Sequence, residues 1–500
     1  MKRCGGVLLH VSSLPGEYGI GTLGKEAYSF IDFLEKAGFG AWQVLPLSPC
    51  DSYNSPYSGA SAYAGNIFFI DPEILFEKGL LTSEELTLCK CSDIYTTQYS
   101  FINDTREDIF KKAFSRLDEK AFKEIDSFKE ENPWVLDYAL FCALKKKHHG
   151  LPWYEWDDGI KLRKEKELES AKEELKEEID FYIFLQCEFF TQWGALKKYA
   201  NEKGIGIIGD MPIYLAHDSA DTWANPKLFS LDENLFPAKC AGVPPDYFCE
   251  DGQKWGNPLY NWEEMKKDGY SFWVKRIEHS AKMYDSVRID HFRAFSAYWE
   301  IPAGESAKSG KWQKGPGMDL FNVIKKRLPD ADIIAEDLGD IDEDVIKLLK
   351  DTGFPGMGVM QFGFISSGNS PHLPHNYSEK TIGYTGTHDN TTLLAWLWEA
   401  NPATRSYALD YCGFNGDWGQ GGADSPAIRS FIRTLWRSGA LLSIVPIQDL
   451  CGFGGDTCMN HPGTAEGNWC FRLTKSALSQ IDTSFYKNLN DIYHRGKFNS

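Results

Sequence analysis

Three acidic residues each follow a short apolar run, and together they could carry out chemistry on a glycosidic bond. Asp290 ends the run SVRID, Glu336 ends DIIAE, and Asp389 follows YTGTH. Taken singly, each is an ordinary acid at a strand end or a helix cap. A retaining glycosidase, however, needs one ionised carboxylate as nucleophile and one protonated carboxyl group as general acid. The three segments together predict such a site.

The local sequences around Asp290 and Glu336 predict different protonation states. Side chains alternate along a strand, so Arg288 points to the same side as Asp290. We expect the charge of Arg288 to keep that carboxylate ionised, as a nucleophile must be. Glu336 closes the apolar run 333–335. Such surroundings raise the pKa of a carboxyl group and favour the protonated form that a general acid requires.

A metal site is the alternative interpretation of these acids. His291 and His388 stand beside Asp290 and Asp389, and such pairs at strand ends can bind zinc. Barrel metal hydrolases of this kind usually have an H-x-H early in the chain, and none occurs here. No G-x-G-x-x-G or G-x-x-x-x-G-K-[ST] phosphate loop follows a predicted strand. We therefore expect no metal and no cofactor, and we interpret His291 as structural.

Eight apolar runs alternate with helical periodicity, which is typical of an α/β protein with a parallel sheet. The first helix, for example, has apolar residues at the spacing i, i+3, i+4, i+7 from Ala27 to Leu34. The predicted strands are Gly6–His10, Ala41–Leu45, Ile205–Asp210, Ser286–Asp290, Asp332–Glu336, Met357–Phe362, Thr381–Thr387 and Leu442–Ile447. They predict a (β/α)8 barrel, whose catalytic groups sit at the C-terminal strand ends. A doubly wound sheet is the structural alternative.

The spacing of the strands predicts one catalytic barrel over residues 1–500 with two insertions. Residues of about 70–190 form a mainly helical insertion, whose lysine- and glutamate-rich stretch Leu162–Ile179 is a solvated face. Residues of about 215–265 form a second insertion between the third and fourth strands. Only about 50 residues follow the eighth strand, too few for a separate C-terminal β-domain.

The composition of the chain excludes some classes of binding partner and indicates its cellular location. The formal net charge is −18, which disfavours nucleic acids and anionic membrane surfaces but not a neutral sugar. Twelve cysteines without a C-x-x-C pattern predict reduced thiols. The apolar run at 7–9 is too short for a signal peptide, and no run could span a membrane. We expect a cytoplasmic protein.

Longer motifs give a resemblance to a known family. The segments SVRIDHFRAF, IIAEDLG and YTGTHDN look like the catalytic segments of the α-amylase-like clan. More specific motifs resemble those of 4-α-glucanotransferases of the amylomaltase type, glycoside hydrolase family 77. These are GVLLHVSSLPGEYGIGTLG at 6–24, WQVLPLSP at 42–49, SPYSGASAYAGN at 55–66, GIIGDMPIYLAHDSADTW at 206–223, GVPPDYFCEDGQKWGNPLYNW at 242–262, FPGMGVMQF at 354–362 and MNHPGTAEGNW at 459–469. The similarity covers nearly the whole chain.

The resemblance implies roles for individual residues. Asp290 would be the nucleophile, Glu336 the acid/base and Asp389 the stabiliser of the transition state. The implied substrate-binding residues are Arg288, which orients the nucleophile, His388, Asp210, Tyr57 at the donor subsites, Ser55, Asn460, Pro462, and Trp255, Gly256 and Asn257 in a lid over the acceptor subsites. Two departures from the family pattern, Cys249 and His461, affect only expectations about fine specificity.

The implied reaction is a double displacement that moves an α-1,4-glucan segment to the 4-hydroxyl of another glucan or of glucose. Maltooligosaccharides would be donors and acceptors. The sequence does not determine whether cyclic glucans form, or whether the protein is a monomer or a homodimer. A hydrolase with the same site is one alternative, and a non-catalytic glucan-binding protein is another. The lid 242–262, which we interpret as a shaped loop with the rings of Tyr247, Phe248 and Trp255, favours transfer. The intact acidic trio argues against a binding protein.

Overall fold

The computed structural model describes residues 1–245, 250–365 and 368–498, which contain twelve β-strands and twenty-one α-helices. The strands are β1 (Cys4–Leu8), β2 (Ala41–Gln43), β3 (Gly206–Met211), β4 (Lys239–Val243), β5 (Gln253–Pro258), β6 (Ser286–Ile289), β7 (Ala297–Pro302), β8 (Lys311–Lys314), β9 (Ile333–Ala335), β10 (Gly356–Val359), β11 (Thr381–Tyr384) and β12 (Leu442–Pro446). The helices are α1 (Lys25–Lys36), α2 (Pro72–Glu77), α3 (Ser83–Leu88), α4 (Tyr99–Phe114), α5 (Glu119–Glu131), α6 (Trp134–Lys147), α7 (Asp158–Lys161), α8 (Glu165–Glu174), α9 (Lys176–Glu202), α10 (Ala220–Ala224), α11 (Trp262–Lys267), α12 (Ser271–Met283), α13 (Met318–Arg327), α14 (Glu343–Thr352), α15 (Met360–Ile365), α16 (Leu393–Glu399), α17 (Pro402–Tyr411), α18 (Pro426–Trp436), α19 (Ile447–Cys451), α20 (Lys475–Gln480) and α21 (Thr483–Ile492).

Eight parallel strands form one sheet in the order β10-β11-β12-β1-β2-β3-β6-β9. Its two end strands, β9 and β10, approach each other. The Ala335 N–H donates to the Pro355 carbonyl at 2.9 Å, and the Asp337 carboxylate accepts the Met357 N–H at 2.6 Å. These bonds bring the sheet almost to closure, so the predicted (β/α)8 barrel is confirmed.

The sequence produces buried strands wrapped by amphipathic helices. Every residue of β1, β3 and β12 is buried, as expected for strands covered on both faces. Helix α1 buries its Ala27, Phe30, Ile31 and Leu34 stripe against this layer, as its spacing predicts. Inside the barrel the Tyr384 hydroxyl donates to the Gln43 amide oxygen at 2.9 Å, so side chains fill the interior.

Seven of the eight predicted strands run past their true C-terminal ends, and the third, predicted to end at Asp210, stops one residue short of Met211. The fourth and fifth end at Ile289 and Ala335, so Asp290 and Glu336 lie one residue beyond their strands. The prediction of a strand to Phe362 is wrong, because α15 begins at Met360. A short apolar run is compatible with either a buried strand or a buried helix, and the sequence does not distinguish them.

The long connection between β2 and β3 contains α2 to α9. Part of it forms a separate apolar cluster with α10, in which Phe141 of α6, Trp156 and Trp223 of α10 pack with ring centroids 5.5–6.1 Å apart. Helix α9 spans 27 residues and leads directly into β3, so the predicted limit near residue 190 falls inside it.

The predicted lid is a β-hairpin instead of a loop. Strands β4 and β5 pair antiparallel and join β7 and β8 in a second sheet of order β5-β4-β7-β8. The interpretation of 242–262 as a shaped loop is therefore wrong for residues 242–243 and 253–258, and α11 begins at Trp262. The residues of β5 are mostly polar and exposed, so they lack the apolar pattern that predicts a strand. The strand forms through backbone hydrogen bonds with β4. Tyr247, Phe248 and Cys249 lie outside the described residues.

No helix in 1–245, 250–365 or 368–498 combines the length and the apolar character that crossing a bilayer requires.

We expect Asp337→Ala to lower the free energy of unfolding by about 1–3 kcal/mol, because the Met357 N–H at the barrel seam loses its acceptor. The measurement is denaturant unfolding of the two proteins. Asp330→Ala, which removes an exposed carboxylate just before β9, is the matched control and should change stability little. Equal effects of both substitutions would contradict a role for Asp337 in closing the barrel.

Candidate active site

The strand register places Asp290 and Glu336 side by side at the C-terminal edge of the barrel. Ile289 of β6 pairs with Ala335 of β9, and the ladder continues beyond the strands. The Glu336 N–H donates to the Ile289 carbonyl, and the Phe292 N–H donates to the Glu336 carbonyl, both at 3.0 Å. Neighbouring strands are about 4.8 Å apart, so the two carboxyl groups rise from adjacent positions of the same edge.

Arg288 lies between two carboxylates and is 3% exposed. Its Nη1 donates to both oxygens of Asp210 at 2.9 Å, and Nη1 and Nη2 both donate to Oδ1 of Asp290 at 2.9 Å. Asp210 pairs with Arg288 in the β3–β6 register, which explains their contact. The Tyr57 hydroxyl donates to Oδ2 of Asp210 at 2.7 Å. The structure therefore places Asp210 below the cleft, with its side chain 0% exposed, where it holds Arg288 and Tyr57.

The Glu336 carboxyl group is fixed by backbone donors. Its Oε2 accepts the His291 N–H at 2.6 Å, and its Oε1 accepts the Leu338 N–H at 2.8 Å. His291 has φ 49°, a left-handed conformation that is unfavourable for a residue other than glycine. Such strain is often kept at functional sites, and here the strained turn is also the one that supplies a donor to Glu336.

Burial dominates the protonation of the pair. It raises the pKa of Asp290 well above its usual range, and the Asp210, Glu336 and Asp389 carboxylates add to this effect, while Arg288 opposes it. Burial also raises the pKa of Glu336, against Arg288 and the two backbone donors. Arg288 opposes this rise, as the sequence predicts, but burial outweighs its effect, so the pKa of Asp290 lies above its usual range and not below it. Arg288 is also shared with Asp210. Two such adjacent groups tend to retain one proton between them.

Asp389 and His388 face this pair from the loop after β11. The Asn460 amide donates to Oδ1 of Asp389 at 2.7 Å, and Nε2 of His388 lies 3.2 Å from its Oδ2. Burial lowers the pKa of His388, so its ring is neutral at neutral pH. That ring stacks on Tyr57 with centroids 5.2 Å apart and planes 7° apart, and Trp469 packs 6.0 Å from it.

The hairpin residues reach the same cleft from the other side. The Trp255 and His291 rings are nearly perpendicular, with centroids 4.8 Å apart, and Trp255 is 37% exposed. The Asn257 amide donates to the Leu215 carbonyl at 3.0 Å, which ties β5 to the segment after β3. Between them, Gly256 has φ 80°, a conformation that favours glycine.

Two further predicted residues lie at the edges of the site. The Ser55 hydroxyl accepts the Tyr57 N–H at 3.3 Å, so Ser55 shapes the turn that carries the Tyr57 ring. Pro462 is exposed on the turn that follows Asn460.

Sequence reasoning did not single out Trp469 or the buried pair of Gln43 and Tyr384. Trp469 packs on both Tyr57 and His388, and it ends a motif that the sequence analysis had already recognised. Gln43 and Tyr384 are polar residues within strands that are otherwise apolar. That contrast is the signal that could have identified them.

Comparison with known proteins gives full-length matches. A family model described as 4-alpha-glucanotransferase matches residues 9–478. The 4-alpha-glucanotransferase of Clostridium butyricum is 44% identical over 97% of this chain and 100% of its own length, and that of Thermus thermophilus is 44% identical over 96% of each. Among solved structures, an amylomaltase from Streptococcus agalactiae in complex with acarbose has a TM-score of 0.95 at 41% identity, covering 99% of this chain and 100% of that chain. An amylomaltase from Corynebacterium glutamicum shares the fold, with a TM-score of 0.79 at 18% identity over 99% of this chain and 74% of that chain.

We expect Arg288→Lys to lower kcat about 10²-fold, because an ammonium cannot hold Asp210 and Asp290 in the geometry of the planar fork. The weaker contact should raise the pKa of Asp290 further, so the acidic limb of the kcat/KM profile should move to higher pH. Arg276→Lys is the matched control, since Arg276 is equally buried but donates to the backbone carbonyls of Pro212 and Ile213. An unchanged acidic limb in Arg288→Lys would contradict this role.

Proposed function

The chain belongs to the 4-α-glucanotransferase family, and from this premise we propose how its residues perform the reaction. The resemblance seen in the sequence is confirmed by relatives that match over their full lengths. The enzyme transfers α-1,4-glucan segments from a donor to an acceptor glucan or glucose. The pairing of Asp290 and Glu336 in register at one barrel edge is the observation that supports the residue roles.

In the first step, Asp290 attacks the anomeric carbon of the donor while Glu336 gives its proton to the glycosidic oxygen. The bond from the anomeric carbon to that oxygen breaks, a glycosyl ester of Asp290 forms, and the reducing-end fragment leaves. The contacts support this division of roles. Asp290 receives charged N–H donors from Arg288, which favour its ionised form, whereas among the described residues Glu336 receives the neutral backbone N–H groups of His291 and Leu338.

In the second step, Glu336 acts as base. It takes the proton of the acceptor 4-hydroxyl, the acceptor oxygen attacks the anomeric carbon, and the ester to Asp290 breaks. Two inversions give net retention. The same position of Glu336 serves both steps, and its two backbone donors keep it there.

Asp389 and His388 bind the distorted sugar ring. The Asp389 carboxylate faces the positive charge that develops in the oxocarbenium-like transition state. His388, neutral and stacked on Tyr57, offers hydrogen bonds to sugar hydroxyls, and Tyr57 supplies an apolar face at the donor side. Asn460 orients Asp389, and Ser55 shapes the turn that carries Tyr57.

We propose maltooligosaccharides and longer α-1,4-glucans as substrates. A relative with a very similar structure binds acarbose, an oligosaccharide analogue. We also propose a cytoplasmic location, supported by the free thiols of the described cysteines. A hydrolase or a pure glucan-binding protein is not favoured, because the full-length relatives are named as transferases.

We expect the protein to convert pure maltotriose into longer chains plus glucose, and Asp290→Asn to lower that activity at least about 10³-fold. Asparagine keeps the shape of the side chain but loses the attacking charge. Chromatography of the products measures both results, and circular dichroism checks that the variant is folded. Shorter sugars alone would indicate hydrolysis, unchanged maltotriose would indicate binding only, and near-normal turnover of the variant would contradict the nucleophile assignment.

We expect Trp255→Ala to impair transfer more than cleavage, because the exposed ring beside His291 is placed to stack on an acceptor sugar. Loss of about 1 kcal/mol of stacking should raise the ratio of hydrolysis to disproportionation roughly 5-fold. Trp312→Ala is the matched control, since Trp312 is 36% exposed on β8 of the same sheet and its ring faces Arg293. Equal loss of both activities in Trp255→Ala would contradict the assignment of Trp255 to the acceptor site.

A further inference from the structure

The loop between β11 and α16 carries two site residues, His388 and Asp389, and is closed at its base by one buried carboxylate. Asp449, in α19 after β12, is 2% exposed. Its Oδ2 accepts the Thr385 hydroxyl at 2.6 Å, and its Oδ1 accepts the Leu393 N–H at 2.7 Å. Thr385 directly follows β11 and Leu393 begins α16, so the side chain joins the two ends of the loop.

The same segment after β12 also holds the tip of the loop. The Asn460 N–H donates to the His388 carbonyl at 3.1 Å, and its side-chain amide donates to Asp389. Within the loop, Oδ1 of Asn390 accepts the Thr387 N–H at 2.8 Å. The position of Asp389 therefore depends on hydrogen bonds from a neighbouring segment at both base and tip.

A small, partly open pocket lies beside the loop. It has a volume of about 20 Å³, room for about one water molecule, and is bordered by Thr387, His388 and Asp449. Since no side chains fill this space, the hydrogen bonds at the base and tip help to fix the loop.

Burial makes the ionised form of Asp449 energetically unfavourable. Burial raises its pKa to about 6, and the Thr385 hydroxyl and the Leu393 N–H oppose this rise. A buried carboxylate that accepts hydrogen bonds from a hydroxyl and a backbone N–H, but has no cation beside it among these contacts, is costly for folding, and an apolar residue would avoid that cost. Its presence at the base of this loop suggests a benefit other than stability.

We propose that Asp449 is a positioning residue for the transfer reaction, fixing the β11–α16 loop so that Asp389 meets the sugar in the transition state. The inference rests on the proposed role of Asp389. Misplacing a catalytic group by about 1 Å can lower a rate about 10²-fold. A residue of this kind affects kcat more than KM, because the lost interaction is one made in the transition state.

The test compares Asp449→Ala, Asp449→Asn and Asp71→Ala in the full chain with maltotriose as substrate. Asp449→Ala removes both bonds, and we expect kcat to fall about 10²-fold at a similar KM. Asp449→Asn should recover most of the activity, since its oxygen can accept the Leu393 N–H while its amide donates to the Thr385 hydroxyl. Rescue by asparagine would show that hydrogen-bond geometry, not charge, is what the loop needs.

Asp71→Ala is the matched control for stability. Asp71 is 3% exposed and likewise accepts a threonine hydroxyl, from Thr22, and backbone N–H groups, from Glu73 and Ile74. The segments that contain Thr22, Glu73 and Ile74 include none of the predicted site residues. We expect Asp71→Ala to lower the thermal midpoint while kcat per folded molecule stays near the wild-type value. An equal loss of kcat in both alanine variants would overturn the proposal.

A double-mutant cycle separates the proposal from the role of Asp389 itself. In an Asp389→Asn background, Asp449→Ala should lower the residual activity by far less than 10²-fold, because both changes act through one group. Equal fold losses in both backgrounds would overturn the positioning role. If Asp389→Asn alone were fully active, the proposed function of Asp389 would be wrong instead. Should Asp449→Ala fail to fold, Thr385→Val removes one of the two bonds at nearly constant volume and should lower kcat in the same sense.

Discussion

The site depends on one buried guanidinium. Arg288 is shared by Asp210 and Asp290. Without it the fully buried Asp210 carboxylate would lose its charged partner, which is strongly unfavourable, and Asp290 would lose its charged donors. The register of β3 and β6 sets this contact. Because Asp210 also accepts the Tyr57 hydroxyl, the same network fixes the ring that stacks on His388. One charge thus orients groups on three separate segments.

The site residues are held in place in two different ways. Asp290 and Glu336 leave adjacent strands of the barrel, whose backbone hydrogen bonds fix them within the rigid sheet. Asp389 lies on a loop held by side chains of a neighbouring segment, and Trp255 lies on β5, which pairs with β4 in the second sheet outside the barrel. The proposed nucleophile and acid/base are therefore held by the scaffold. The groups proposed to stabilise the transition state or to bind the acceptor lie on connecting elements, which vary more among proteins of this fold than the barrel does.

Several groups together set the pKa values of the acidic residues in this cleft. Burial raises the pKa of both Asp290 and Glu336, and each carboxylate in the cleft raises the pKa of its neighbours. A pair in this situation keeps one proton, which is what a nucleophile and an acid/base partner require at neutral pH. The position of that proton follows from the donors that each group receives, charged for Asp290 and neutral for Glu336.

The sequence by itself determined the barrel and the place of the acidic trio, because strand and helix periods are local and the strand ends mark the catalytic edge. It did not determine the hairpin, since β5 is polar and exposed and exists through backbone pairing with β4. It predicted the effect of Arg288 on Asp290 but not the net rise in the pKa of Asp290, which depends on burial and on groups from several strands. It also left Asp449 unnoticed, although that acid too follows a barrel strand, because its two partners lie 56 and 64 residues away. Tertiary structure decided these features because pairing, burial and charge sharing arise only when distant segments meet.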